Sequence, residues 1–137
     1  MKKITKEEQI YYEAMIMLVE ADYEELAVLT TSEIARRLNV SRPYLSRIYK
    51  KYNYFTLHDD IEWFKFCRFE SLIKWGITKT VKEAMKKLDI RSTSHFIKRY
   101  KAVCNKTPGQ VKREIKKSNK KKENPTPKND VFVTSPV

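Results

Sequence analysis

Glycine is nearly missing from this chain: two in 137 residues, Gly76 and Gly109. Such scarcity leaves no glycine-rich loop to cradle phosphates. Cysteine is equally scarce, and Cys67 and Cys104 show neither a CxxC nor metal-ligand spacing. Each reads as a buried free thiol on an apolar helical face, which suits a reducing cytoplasm. Long apolar runs are absent as well. The longest, Ala14–Val19, is far too short for a bilayer, so no membrane partner is expected. The amino-terminal lysines lack an adjoining apolar region and cleavage site, so no secretion signal is read. Paired catalytic carboxylates, a nucleophile motif and a Cys/His cluster are also missing. Neither an enzyme, a metal site nor a cofactor is expected.

Proline stays out of the periodic stretches and β-branched alternation is rare, which together predict an all-α fold. Apolar residues make up 41%, enough for a modest core, and the formal net charge is +12. The charge is unevenly placed. Residues 1–40 hold five Lys/Arg against eight Asp/Glu, residues 41–113 eighteen against six, and residues 114–137 six against three. Lysine-rich chains often carry nothing but solvated charge. A basic character that sets in abruptly near residue 41 favours a phosphate-binding surface instead.

The chain also repeats itself. EIARRLNVSRPYLSRIYK at 33–50 returns as EAMKKLDIRSTSHFIKRYK at 83–101. Glu33, Leu38 and Asn39 match Glu83, Leu88 and Asp89 at an offset of 50; Ser41, Leu45, Arg47 and Tyr49 match Ser92, Phe96, Lys98 and Tyr100 at 51. A single slip located at a turn indicates two copies of one supersecondary unit. The unit reads as helix, tight turn and second helix with basic exposed positions, the pattern of a helix-turn-helix.

Local signals divide the chain into five segments. Residues 1–30 form an amino-terminal packing helix, opened by the capping-box pair Thr5 and Glu8. Residues 31–55 hold the first unit, with Thr31 or Ser32 as cap, Asn39 in the turn and Ser41 capping the helix that contains Pro43. Residues 56–76 form a long central helix from Thr56 to Gly76. Its breadth of apolar cover places the aromatics Trp63, Phe64, Phe66, Phe69 and Trp75 in the core, with Phe96 and Tyr100. Roughly 18 residues of helix span about 27 Å, close to the ~34 Å between major-groove openings on one face of DNA. Residues 77–115 hold the second unit, capped at Thr80, and a final helix begun at Thr107-Pro108. Residues 116–137 read as a disordered basic tail.

The two units together resemble the DNA-binding domain of the AraC/XylS family of bacterial transcription regulators. SEIARRLNVSRPYLSRIYKKY is similar to the family's first helix-turn-helix. TSHFIKRYKAVCNKTPGQVKR is similar to its closing signature, carried here by Ser94, Phe96, Lys98, Tyr100, Lys101, Thr107, Pro108 and Arg113. The likeness covers about residues 12–114. The chain departs from the pattern at Asn105, at Asp89-Ile90 and near Asn53, where the family has glycine. Asn and Asp are the non-glycine residues best suited to a positive φ. Met85 replaces a small Ala at a helix crossing, and Val111 stands where the family has an aromatic or similar residue. The resemblance implies two homeodomain-like units joined by a long central helix, in the single-domain form of the family that binds asymmetric sites as a monomer.

It also implies the positions that would face DNA. These are Arg42, Pro43, Ser46, Arg47 and Lys50 in the first recognition helix, and Thr93, Ser94, His95, Ile97 and Lys98 in the second. An arginine there can donate two bonds to a guanine edge or one to a phosphate, and both roles stay open for Arg47. Ser and Thr suit several base edges, and Ile97 suits a thymine methyl. Lys50 and Lys51 fit phosphate, and Tyr44 the edge of the core. Arg68 bridges the units through an ion pair or reaches a phosphate. The expected partner is double-stranded DNA, with RNA polymerase as a further one. The competing expectation is a protein of the same fold that binds and sequesters other regulators or polymerase.

Overall fold

A computed structural model describes residues 3–122, and side chains through Ser118. Among the described residues the chain is all α-helix. The helices are α1 (Lys6–Glu20), α2 (Tyr23–Val28), α3 (Thr31–Arg37), α4 (Arg42–Tyr52), α5 (Leu57–Lys74), α6 (Val81–Lys87), α7 (Thr93–Cys104) and α8 (Pro108–Lys122). None of them is long and apolar enough to cross a membrane.

Capping residues set most of the boundaries. Thr5 and Glu8 close a full capping box at α1, and Thr107 and Gln110 close another before α8. Asp22, Thr30, Ser41, Thr56, Thr80 and Ser92 each accept a backbone N–H three residues on. Each cap satisfies one of the amides that a helix start leaves without a partner. The cap of α3 is Thr30, not Thr31 or Ser32. Thr31 is instead buried in the first turn.

The ends of α3 and α6 are alike in detail. Asn39 N–H donates to Arg36 O and Val40 N–H to Ala35 O, and Asp89 and Ile90 do the same to Lys86 and Met85. This pairing is a Schellman motif, which needs a left-handed residue just past the helix. Asn39 and Asp89 supply it at φ 58° and 55°. Gly76 ends α5 in the same way at φ 70°, and Asn105 follows α7 at φ 60°. Asn53 does not adopt a positive φ; it sits at −125°. Its side chain is engaged elsewhere, donating to Asp60 and to Phe55 O and accepting from the Tyr11 hydroxyl.

Two clusters of buried residues share α5. The first gathers Ile10, Ala14, Leu18, Leu26, Leu29, Ile34, Leu45, Ile48 and Tyr49 around Leu57 and Ile61. The second gathers Phe66, Phe69, Leu72 and Ile73 with Ala84, Met85, Leu88, Phe96, Tyr100 and Val111. Met85 and Val111 are both accommodated as buried side chains. An 18-residue helix is about 27 Å long, enough for its two ends to serve different cores.

Several segments differ from the sequence reading. The amino-terminal stretch is two helices, because Asp22 caps α2 and the backbone at Ala21 is extended. Arg68 makes that break tolerable. Its guanidinium donates to Ala21 O at 3.0 and 2.9 Å and to Val19 O at 3.3 Å, satisfying carbonyls that the end of α1 leaves open. Tyr23 in α2 then reaches the second core, with Lys87 over its ring at 5.6 Å. The final helix runs through Lys122, past the expected boundary at 116, since Ile115 still packs on the second core and lysines favour helix. Residues 123–137 of the expected tail lie outside the described residues. Trp63 and Trp75 are 49% and 71% exposed, not core. Phe66 and Phe69 take the inward face of α5, and Trp75 lies past its last turn with Lys74 over its ring. Cys67 and Cys104 are free and only half-buried.

Candidate nucleic-acid interface

α4 and α7 occupy matching places in the two copies of the repeat. Each packs one face on a core: Leu45, Ile48 and Tyr49 from α4, and Phe96 and Tyr100 from α7. Each leaves the opposite face open. Arg42, Pro43, Ser46, Arg47 and Lys50 are all exposed, and so are Thr93, Ser94, His95, Ile97 and Lys98. The structure therefore gathers the ten candidate residues into two solvent-facing sets of five, one per helix.

The electrostatics of these two helices set them apart. α1, α2, α3, α5 and α6 all carry Asp or Glu in the first turn, where a carboxylate complements the helix dipole. α4, α7 and α8 carry none there, and α4 and α7 hold no acid along their whole length. α4 even begins with Arg42, a cation at the positive end of the dipole. That choice forgoes stability, and an amino end free of carboxylates is what phosphate approach requires.

Some cations are neutralised within the fold. Glu33 holds Arg36 at 2.6 Å and Arg37 at 2.8 Å, and Arg37 also reaches Glu25 at 3.0 Å. Those two guanidinium groups draw the Glu33 carboxyl down to about 2. Glu7 pairs with Lys51 at 2.8 Å, and Glu114 with Lys106 at 2.7 Å. Arg42, Arg47, Lys50 and Lys98 form no ion pair among the described residues, and Arg47 lies only in the wider field of Glu7. Lys51, read from sequence as a phosphate contact, is occupied by Glu7 because α1 lies alongside α4. Lys50 donates to Tyr54 O at 3.2 Å. Arg47 stacks over the Tyr44 ring at 5.3 Å. Tyr44 thus covers the core edge as expected and also steadies Arg47, a role visible in sequence only as a spacing of three.

Behind the exposed faces, both helices are fastened to α5 by the same device. The buried Tyr49 hydroxyl donates to Asp60 at 2.5 Å, and its counterpart Tyr100 donates to Glu70. Burial and the adjoining carboxylate push both phenols well above their ordinary range. Arg99 adds a second link from α7, with two bonds to Glu62 at 3.0 and 2.7 Å. Asp60 and Glu70 are ten residues apart, about 15 Å along the helix and roughly 80° around it. α4 and α7 are therefore held on different faces of one rod.

Two further surfaces are concave. A groove of about 560 Å3 lies between Phe55, Trp63 and Val103 with Asp59, Asp60 and Glu62 along it. A larger one of about 700 Å3 continues past Trp63 to Cys67, Cys104 and Glu114. No group of three or more His, Cys, Asp or Glu among the described residues is arranged to hold a metal. Comparison with known proteins returns no match among family models, curated proteins or solved structures.

Proposed function

We propose that the chain is a sequence-specific double-stranded DNA-binding transcription regulator of the AraC/XylS type. In this reading α3–α4 and α6–α7 are two helix-turn-helix units on the shared helix α5. The protein acts as a monomer in the cytoplasm, on the nucleoid, and places α4 and α7 in adjacent major-groove segments. No catalysis and no cofactor are part of it.

The observation that carries the reading is the pairing of α4 with α7. They are repeat equivalents, both free of acid, both presenting unpaired cations and small polar side chains to solvent. On the neighbouring helix α3, Arg36 and Arg37 are matched by Glu33 and Glu25. A surface that needed only solubility would not clear two repeat-equivalent helices of acid. Arg47, steadied by Tyr44, is the candidate for guanine O6 and N7. Arg42, Lys50 and Lys98 suit phosphate.

The test compares Arg47→Ala with Lys50→Ala on a selected duplex. Loss of a base-reading arginine relaxes preference at one position of the site. Loss of a phosphate contact weakens all sequences alike and flattens the salt slope by about one unit. Identical effects from both variants remove the base-reading role.

A second reading, binding to another protein, draws on the groove beside Trp63. Phe55, Trp63 and Val103 are 54%, 49% and 42% exposed, and beside them Asp59 forms no ion pair among the described residues, while Asp60 and Glu62 are held by Tyr49 and Arg99. The partner that fits is a protein segment with apolar anchors and Lys or Arg, as sequestration of a regulator or of polymerase would supply. Trp63→Ala that abolishes regulation while leaving duplex binding intact would favour this reading.

A further inference from the structure

The chain has two histidines, His58 and His95, and both open onto the same cavity. It lies between α5, the turn at 89–92 and the start of α7, and measures about 260 Å3. Sites for drug-sized molecules run from about 300 Å3 upward, so this space suits one compact group.

Lys65 lines it from the middle of α5, half-buried. It makes no hydrogen bond or ion pair with any described residue. Neighbouring charges are already matched. Arg99 is committed to Glu62 on α5 through two short bonds, and Arg91 lies 3.9 Å from Asp89 in the turn. Lys65 is left with the field of Asp89, which also lines the cavity, and with no ion pair of its own. A charge removed from water without a counter-charge is costly. Its ammonium is correspondingly easier to deprotonate than an ordinary lysine, because burial outweighs the field of Asp89. An anion entering the cavity would relieve that cost. The opening is suited to one: the first turn of α7 carries no acid, and Ser92, His58, His95 and the exposed Arg91 offer donors around it.

We propose that this cavity is a phosphate site. Lys65 pairs with the phosphate oxygens, and His58, His95 and Arg91 supply the remaining donors. The group could arrive on a duplex backbone or on a small phosphorylated molecule, and the geometry of the site is the same for both. It lies at the root of α7, so its occupancy bears directly on the helix proposed to read DNA. The site itself does not depend on that reading, since free phosphate tests it without DNA.

The experiment uses proton NMR of the two imidazoles, assigned with His58→Gln and His95→Gln. Inorganic phosphate is titrated near neutral pH at constant ionic strength, with chloride as the balancing anion. The proposal predicts saturable shifts of both ring signals. Lys65→Met weakens the response by at least about tenfold, the scale of one charge-assisted bond, and Lys65→Arg retains it. Circular dichroism melting confirms that each variant is folded. Absent or unsaturable shifts, or an unchanged response in folded Lys65→Met, overturn the site. The source is then identified on duplex without free phosphate. A salt slope shallower by about 0.9 in Lys65→Met assigns the site to a backbone phosphate, and an unchanged slope assigns it to a small phosphorylated molecule. If no duplex binds at all, the DNA reading fails while the phosphate titration still decides the site.

Discussion

The Tyr49 hydroxyl donates to the Asp60 carboxylate at 2.5 Å, across the boundary between α4 and α5. The repeat reproduces this contact as Tyr100 with Glu70. Two equivalent tyrosines thus fix two equivalent helices to one rod, and removing either hydroxyl takes a donor from a carboxylate. A hydrogen bond to a charged group contributes about 1.5–3 kcal/mol. Asp60 keeps a second donor in Asn53, whereas Glu70 has no other donor among the described residues. Urea unfolding should therefore show Tyr100→Phe to be costlier than Tyr49→Phe, with both in that range. A cost near zero for Tyr100→Phe would mean the contact stabilises nothing.

The same two phenols predict an alkaline limb. Their folded values are raised, so the unfolded chain releases these protons first as pH climbs past 10. The stability they confer is complete below that point and declines above it. Ultraviolet titration of the eight tyrosines should show Tyr49 and Tyr100 ionising only as the chain unfolds.

At the acid end the group to watch is Glu33, drawn down to about 2 by Arg36 and Arg37. A depressed carboxylate stabilises the fold above its unfolded value, near 4.5, and loses that contribution as pH falls toward 2. Glu33→Gln should flatten this part of the stability profile and leave the alkaline limb unchanged. Added salt should reduce the effect, because the network is solvent-exposed.

The left-handed turns give a fourth check on stability. Asn39 and Asp89 sit at φ 58° and 55°. Replacing either with Ala should cost about 1–2 kcal/mol, whereas Gly should be neutral or stabilising. Equal effects of Ala and Gly would mean that side-chain bonding, not backbone conformation, selects these residues.

Much of this was legible in the chain. The offset of 50, then 51, located both turns and both caps, because a Schellman end and a Ser cap leave fixed residue types at fixed positions. Read more strictly, the same offset would have chosen Thr30 over Thr31, since Thr30 stands 50 before Thr80. The break at Ala21–Asp22 was hidden because the helical apolar spacing runs straight through it. The local signal for it is Asp22 with Glu25 three residues on, and Arg68, 47 residues away, supports the break. Trp63 and Trp75 misled because helical spacing reports a face, not what covers it. Lys51 and Lys65 show the limit for charge. Sequence counts cations, but only the packing of α1 on α4 and of α7 on α5 separates a neutralised lysine from an unmatched one.

In the proposed function α4 and α7 read two stretches of duplex at once. Selection from a randomised duplex pool at about 150 mM salt, followed by sequencing, tests this most directly, because phosphate-only binding is lost as salt rises. The prediction is enrichment of two short asymmetric blocks about one helical turn apart, roughly 10–10.5 base pairs. Loss of the second block in a Ser94→Ala, Lys98→Ala variant would assign it to α7. No enrichment above the starting pool would contradict the account.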